Sequence, residues 1–309
     1  MLISAGLLPM VFSPSGTLLF LPLPITFGLA VPYLFLWVAL GLAMFTDRHS
    51  HAGVFIALSL AAAVVVGIVE WEGLAPLALF AGSCLVAVRS ALPTALRALA
   101  WGIVVVLAVA LGTHEVPWIH NVLILDAVSV SESSASYTLH WNYDKGFAGV
   151  LLYAVCVQPQ ETPQWKRAIL TTGVIAIVTV VLVGVAATAA GYTAWDPKWP
   201  AMLAVWVPAN LLLTCVAEES FFRGLLQRHL GGLLGGWVPA PALVALVLAA
   251  MAFGAAHAAG GIAYVLLATL AGIGYGTAYW LTGRVEAGIL VHFLLNLSHL
   301  VLFTYPFVA

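Results

Sequence analysis

Long apolar runs separated by short polar links dominate the chain. A membrane-spanning helix needs about 20 predominantly apolar residues. This pattern predicts spans at residues 25–45, 53–69, 73–88, 96–112, 168–190, 200–217, 239–256, 262–281 and 286–304. A shorter run at 147–157 is ambiguous, because a segment of that length can also be re-entrant or interfacial. Residues 1–24 are apolar but contain four prolines, and the pattern does not decide whether they cross the membrane.

The distribution of charged residues indicates whether the short run at 147–157 crosses the membrane. If 147–157 crosses the membrane, most basic residues fall on one side and most acids on the other, as the positive-inside rule expects for a cytoplasmic and an opposite face. The sequence therefore predicts about ten crossings. The basic residues on the predicted cytoplasmic side are Arg48, Arg89, Arg97, Lys166, Arg167, Arg223, Arg228 and Arg284.

Composition excludes several classes of protein. Of 309 residues, 63% are hydrophobic and 7% are charged, whereas a soluble domain has about 25% charged residues. A soluble enzyme and a disordered chain are both excluded, because so few charges cannot cover a globular surface. The net charge of −2 offers no basic patch for nucleic acid. The three cysteines, Cys84, Cys156 and Cys215, are distant from one another in apolar runs and indicate packing rather than a disulfide or metal framework.

The predicted fold is all-α, a polytopic transmembrane helical bundle with a short extramembrane loop or hairpin. The extramembrane stretch is 113–146, in which 125–130 and 137–141 are strand-like around a turn at 131–134. A disordered loop is the alternative. This stretch separates an N-terminal transmembrane block of unknown role, residues 1–112, from a second transmembrane block, residues 147–309. No Lys or Arg precedes Arg48, so a cleaved signal peptide is not expected.

Polar residues lie against three apolar runs of the second block. Ionisable groups inside a span are costly and usually functional. Glu219 and Arg223 are four residues apart, so on an α-helix they share a face and can form an ion pair. Glu218 then points about 100° away, where a carboxylate in a dry site can act as a general base.

Two further helices carry the remaining candidates. His292 and Asn296 share one face, and His257 ends another span. A carboxylate, two imidazoles and an amide that converge could activate water and stabilise an oxyanion. The structural alternatives are that the acids lie solvated at a helix end, that His257 packs at an interface, and that Asn296 is a packing amide between helices.

The three groups together resemble a known family. Glu-Glu-x-x-x-Arg at 218–223, Phe-x-x-x-His at 253–257 and His-x-x-x-Asn at 292–296 occur in the order found in the CAAX-protease and bacteriocin-processing (CPBP) intramembrane endopeptidases, which include the type II CAAX prenyl endopeptidase. The resemblance covers roughly residues 140–305, so it implies that 147–309 is the catalytic domain. It implies hydrolysis of a membrane-associated protein or peptide within the lipid bilayer.

The resemblance also implies roles for the residues. Glu218 activates the attacking water with help from His257, His292 and Asn296 hold the oxyanion, and Glu219, locked by Arg223, orients its neighbour. No cofactor is favoured. Zinc is an alternative, because two imidazoles and a carboxylate can form a three-ligand catalytic site, although no His-Glu-x-x-His helix is present.

Two other functions stay open at this stage. Buried Glu, Arg and His also form ion pathways in transporters, although no inverted repeat is visible. An immunity or binding protein could use the same fold without chemistry. The expected location is a bacterial inner membrane, on composition alone, and the sequence does not identify the substrate.

Overall fold

The chain folds as a mostly helical protein, seen here in a computed structural model that describes residues 10–12, 18–20, 27–46, 49–157 and 165–309. Two short antiparallel strands, β1 (Met10–Phe12) and β2 (Leu18–Phe20), precede the helices. Whether residues 1–24 cross the membrane lies largely outside the described residues, as does Arg48.

Each predicted span, and the short run at 147–157, is mainly helical in the described residues. The first six helices are α1 (Phe27–Phe45), α2 (His49–Val65), α3 (Leu74–Val88), α4 (Thr94–Gly112), α5 (Tyr143–Cys156) and α6 (Trp165–Ala189). A 3₁₀ turn, Trp71–Gly73, leads into α3. The strands β3 (Val122–Val128) and β4 (Tyr137–Trp141) form a two-stranded sheet between α4 and α5, which confirms the predicted hairpin.

The predicted span at 200–217 is part of a longer helical segment. It begins with α7 (Leu203–Pro208), widens into a π-helix at Ala209–Cys215, and continues as α8 (Val216–Glu219). A second π-helical stretch, Ser220–Gln227, precedes α9 (Arg228–Leu234). The last helices are α10 (Pro241–Ala255), α11 (Gly261–Thr282) and α12 (Val285–Leu302), with a 3₁₀ turn at Ala258–Gly260.

Six helical stretches of the described chain are long and apolar enough to cross a membrane: Gly28–Phe45, Trp71–Val88, Thr94–Gly112, Trp165–Ala189, Ala258–Thr282 and Val285–Leu302. Two shorter apolar helices are His51–Val65 and Pro241–Ala255. The protein is therefore a polytopic helical membrane protein. The prediction of about ten crossings adds to these six stretches the two shorter helices, α5 and the segment 200–217, and it stays a prediction.

The chain divides into two compact units. The first unit comprises residues 1–124, 139–159 and 204–217. Its centre is α5, which is buried along almost its whole length. Glycine permits this packing, because a Cβ on Gly149 would lie 2.5 Å from the Cα of Ala217, and one on Gly146 would lie 2.6 Å from Leu213 Cδ2.

The second unit comprises residues 125–138, 160–203 and 218–309. In it α11 packs against α6, α10 and α12. Small residues bring α10 and α11 together, since a Cβ on Gly254 would collide with the Thr269 side chain. Aromatic side chains fill the core, among them Phe222, Phe253 and Tyr275. All six sequence-predicted site residues belong to this unit.

Candidate active site

A fully buried ion pair lies at the centre of the second unit. Arg223 Nε is 3.0 Å from Glu219 Oε2, and both side chains are inaccessible to solvent. The predicted pairing across one helical turn is therefore present, although the Nε–H does not point directly at the carboxylate. Arg223 Nη2 donates to the carbonyl of Gly272 at 2.9 Å, which fastens the helical segment to α11. Its guanidinium also lies 5.4 Å from the Phe253 ring centre, a cation–π contact.

His292 joins the two adjacent glutamates. Its Nδ1 lies 3.0 Å from Glu219 Oε1, and its Nε2 lies 3.8 Å from Glu218 Oε2. Because a carboxylate only accepts, Nδ1 carries the hydrogen and Nε2 is the nitrogen turned toward Glu218. The sequence interpretation paired Glu219 with Arg223 alone. The structure shows instead that Glu219 uses one oxygen for Arg223 and the other for His292.

Aromatic rings hold the imidazole of His292 in place. Tyr275 stacks on it with ring centres 4.4 Å apart and an interplanar angle of 12°. Phe253 meets the same imidazole edge-on at 5.6 Å. Tyr275 and Phe253 are both almost completely buried. The imidazole therefore has a fixed plane as well as a fixed hydrogen-bonding direction.

His257 approaches the cluster from the end of α10. Its Nδ1 donates to the carbonyl of Phe253 at 2.8 Å, which leaves Nε2 as the acceptor of the neutral ring. The Phe253 ring lies 4.7 Å from His257 and 5.6 Å from His292. The Phe253 ring therefore contacts both site histidines. Asn296 lies one turn after His292 on α12 and is partly exposed.

Exposure distinguishes the two acids. The Glu218 side chain is 14% exposed, whereas Glu219 is 0% exposed. The acid that solvent can reach is therefore Glu218, and the acid behind it is fixed by a cation and an imidazole. π-Helical turns such as the one that begins at Ser220 often occur at functional sites.

Three residues around the cluster were missed by sequence reasoning. Tyr275 stacks on His292, Tyr264 lies against His257 with ring centres 5.3 Å apart, and Gly288 leaves room for Glu219. A Cβ on Gly288 would lie 2.9 Å from Glu219 Oε2. A usable signal existed for the tyrosines, because a buried phenol in an apolar span needs a polar partner.

The described residues contain no assembled set of three metal ligands. Among them, no three His, Cys, Asp or Glu side chains come close enough together to hold an ion. One nitrogen of each site histidine is hydrogen-bonded, to Glu219 at His292 and to the Phe253 carbonyl at His257, which leaves Nε2 of each ring as the nitrogen that a metal would use. A site with fewer than three protein ligands is short of the number that catalytic zinc sites normally have.

The fold and the cluster define an integral membrane protein with a buried, partly solvent-accessible acid–histidine site. Residues 199–298 match the family model described as type II CAAX prenyl endopeptidase Rce1-like. This segment contains all six candidate residues, and its match supports the resemblance to the CPBP family drawn from the three motifs. The match to this family supports the interpretation of the protein as a protease. No curated protein and no solved structure matches the chain.

Proposed function

We propose that this protein is an intramembrane endopeptidase that hydrolyses a membrane-associated protein or peptide, with Glu218 as the base that activates water. The observation that carries the proposal is the connected series Arg223–Glu219–His292–Glu218 within the segment that matches the CPBP family. The last member of this series, Glu218, is the acid that solvent reaches. A buried series of this kind is expensive in an apolar protein, which favours a function for it.

In the proposed reaction, Glu218 takes a proton from water as the water oxygen bonds to the scissile carbonyl carbon. The carbonyl π electrons move onto oxygen and form a tetrahedral oxyanion. The C–N bond then breaks, and the proton passes from Glu218 to the leaving amine. The products are a carboxylic acid and an amine. General-base catalysis of this kind typically contributes about 10²–10⁴-fold to the rate.

The neighbouring residues support this acid. Glu219, fixed by Arg223, orients His292, and His292 with Asn296 faces the developing oxyanion. When His292 carries a second proton, its Nε2 can donate a hydrogen bond. The formal charges of the series Arg223–Glu219–His292–Glu218 then sum to zero. His257 presents an acceptor nitrogen beside Phe253 and assists Glu218 in handling the water proton.

Zinc is the alternative to this metal-free mechanism. Nε2 of His292 and Nε2 of His257 are the nitrogens left over for a metal, with Glu218 as the carboxylate. The incomplete ligand set described above favours the glutamate mechanism. The experiment below, with and without a metal chelator, distinguishes the two mechanisms.

The membrane topology belongs to the same proposal. We infer about ten crossings, with the Arg-rich loops in the cytoplasm. The proposed catalytic domain is 147–309, the extramembrane loop is 113–146, and residues 1–112 form a further transmembrane block. Composition favours a bacterial inner membrane.

The decisive experiment compares peptide cleavage by purified wild type with Glu218→Gln and His292→Ala in lipid, using a quenched peptide library. Both variants are expected to lose cleavage. Glu218→Gln should keep its thermal stability, whereas His292→Ala leaves Glu219 Oε1 buried without this hydrogen bond and should be less stable, so its folding is checked separately. Glu286→Gln, on α12 of the same unit, is the matched control and should cleave normally. Each protein is also assayed with phenanthroline.

The outcomes separate the mechanisms. Cleavage that phenanthroline spares supports the glutamate mechanism, and cleavage that is lost to the chelator and restored by zinc supports the metal alternative. Cleavage that persists in both variants refutes the proposed site.

A further inference from the structure

Among the proposed site residues, the side-chain amide of Asn296 is a neutral hydrogen-bond donor, and the two histidines add none to it while their rings are neutral. His257 uses its Nδ1–H for the Phe253 carbonyl, so its Nε2 is an acceptor when the ring is neutral. His292 uses its Nδ1–H for Glu219, so it can donate from Nε2 only when it carries a second proton. A tetrahedral oxyanion normally has preorganised donors about 2.7–3.1 Å away. The Asn296 amide supplies one such donor, and a second O–H or N–H would share the charge that develops on the oxygen.

Tyr264 is a phenol that packs on the proposed site at His257. It lies one turn into α11, edge-on to His257 with ring centres 5.3 Å apart. Its hydroxyl interacts electrostatically with Glu218. Tyr264 therefore packs directly on the imidazole that is proposed to assist the base, and its phenol also feels the charge of the base itself.

The Tyr264 ring is held rigidly. Tyr192 stacks on it with ring centres 5.6 Å apart and an interplanar angle of 4°. The ring also packs so closely on Gly260 that a Cβ there would collide with Tyr264 Cδ1. Tyr192 in turn packs against Phe307. A donor fixed in this way costs little reorganisation when charge develops on the substrate.

We propose that Tyr264 is a further catalytic residue, whose O–H donates a hydrogen bond to the scissile carbonyl oxygen as that oxygen becomes an oxyanion. The inference rests on the proposed function and extends it. The phenol keeps its proton throughout, so it adds no bond-making step to the hydrolysis. Its contribution appears only when the oxygen carries negative charge, and it should therefore act on kcat rather than on substrate binding.

The test replaces Tyr264 with Phe, which removes the hydroxyl and keeps the ring. We expect kcat to fall about 10²-fold, the range for loss of one oxyanion donor, with KM and thermal stability unchanged. Tyr279→Phe, on the same helix, is the matched control and should behave as wild type. Binding supplies a second measurement. A peptide phosphinate that mimics the tetrahedral anion should bind Tyr264→Phe at least about 10-fold more weakly than wild type.

The results separate this inference from the proposed function. If Glu218→Gln is inactive and Tyr264→Phe retains wild-type kcat and phosphinate affinity, the role of Tyr264 is refuted and the proposed function stands. If Glu218→Gln still cleaves, the proposed function fails, and the role of Tyr264 fails with it. A rise in KM with unchanged kcat would also overturn the inference, because it would show a packing or substrate-binding role.

Discussion

Replacing Gly288 with alanine adds one methyl group beside the buried carboxylate of Glu219. The new Cβ would lie 2.9 Å from Glu219 Oε2, whereas ordinary contacts begin at 3.4 Å, so the carboxylate must move by about 0.5 Å. Glu219 cannot move freely, because its two oxygens lie 3.0 Å from Arg223 and 3.0 Å from His292. The displacement therefore passes to the ion pair, to the imidazole or to both.

The expected cost is larger for catalysis than for folding. A misplacement of about 1 Å can reduce an enzymatic rate about 10²-fold, so half of that displacement should reduce kcat about 10-fold. Overpacking a buried site typically costs about 1–3 kcal/mol of folding free energy. Gly288→Ala should therefore fold but cleave slowly, with the loss mainly in kcat.

The assay measures kcat, KM and thermal stability of Gly288→Ala in lipid beside a matched control. Gly173→Ala is suitable, because this glycine lies on α6 of the same unit and a Cβ there meets nothing within 4 Å. The control should keep wild-type kcat. A Gly288→Ala protein that is folded and fully active would refute the argument that the position of Glu219 governs the site.

Two further perturbations test the electrostatics. Arg223→Met leaves the Glu219 carboxylate buried without its cation and should lower the unfolding free energy by about 3–5 kcal/mol in denaturant titration, with much of the loss recovered by adding Glu219→Gln. Outside the membrane spans, burial raises the pKa of Asp196, but the neighbouring Ser131 hydroxyl and the Lys198 ammonium lower it by more, so the pKa lies below its usual value. The ionised carboxylate thus stabilises the fold above the unfolded-state pKa of about 3.9, and this is lost as the pH falls further. Asp196→Asn should weaken the decline of thermal stability on acidification, and an unchanged decline would contradict this account.

The helices could be predicted from the sequence because apolar runs report burial or lipid contact directly. The ion pair between Glu219 and Arg223 was also predictable, since it depends on spacing within one helical turn. The contact of His292 with Glu219 was not, because these residues are 73 positions apart. That contact depends on how α12 packs, on the missing side chain at Gly288 and on the stacked ring of Tyr275.

The π-helical geometry of the segment that carries Glu218 and Glu219 could not be predicted from the sequence either. The sequence interpretation used ordinary α-helical angles for residues 200–223, but the segment contains two π-helical stretches. α- and π-helices differ by one residue in the spacing of their hydrogen bonds, and no apolar periodicity distinguishes them over seven or eight residues. The position of His257 was obscured for a related reason, because it lies in the turn after α10 rather than on a regular helix.

The wide turns at Ala209–Cys215 and Ser220–Gln227 also affect how this segment tolerates changes in length. A π turn accommodates one more residue per hydrogen-bonded ring than an α turn. Removing one residue can therefore convert a wide turn into an ordinary one, without opening a loop in the membrane. Relatives that differ by a single residue here can still present Glu218 and Glu219 in the same direction. Residue counts between the acids and the preceding span are thus a weak guide to equivalence, whereas the side-chain contacts are a strong one.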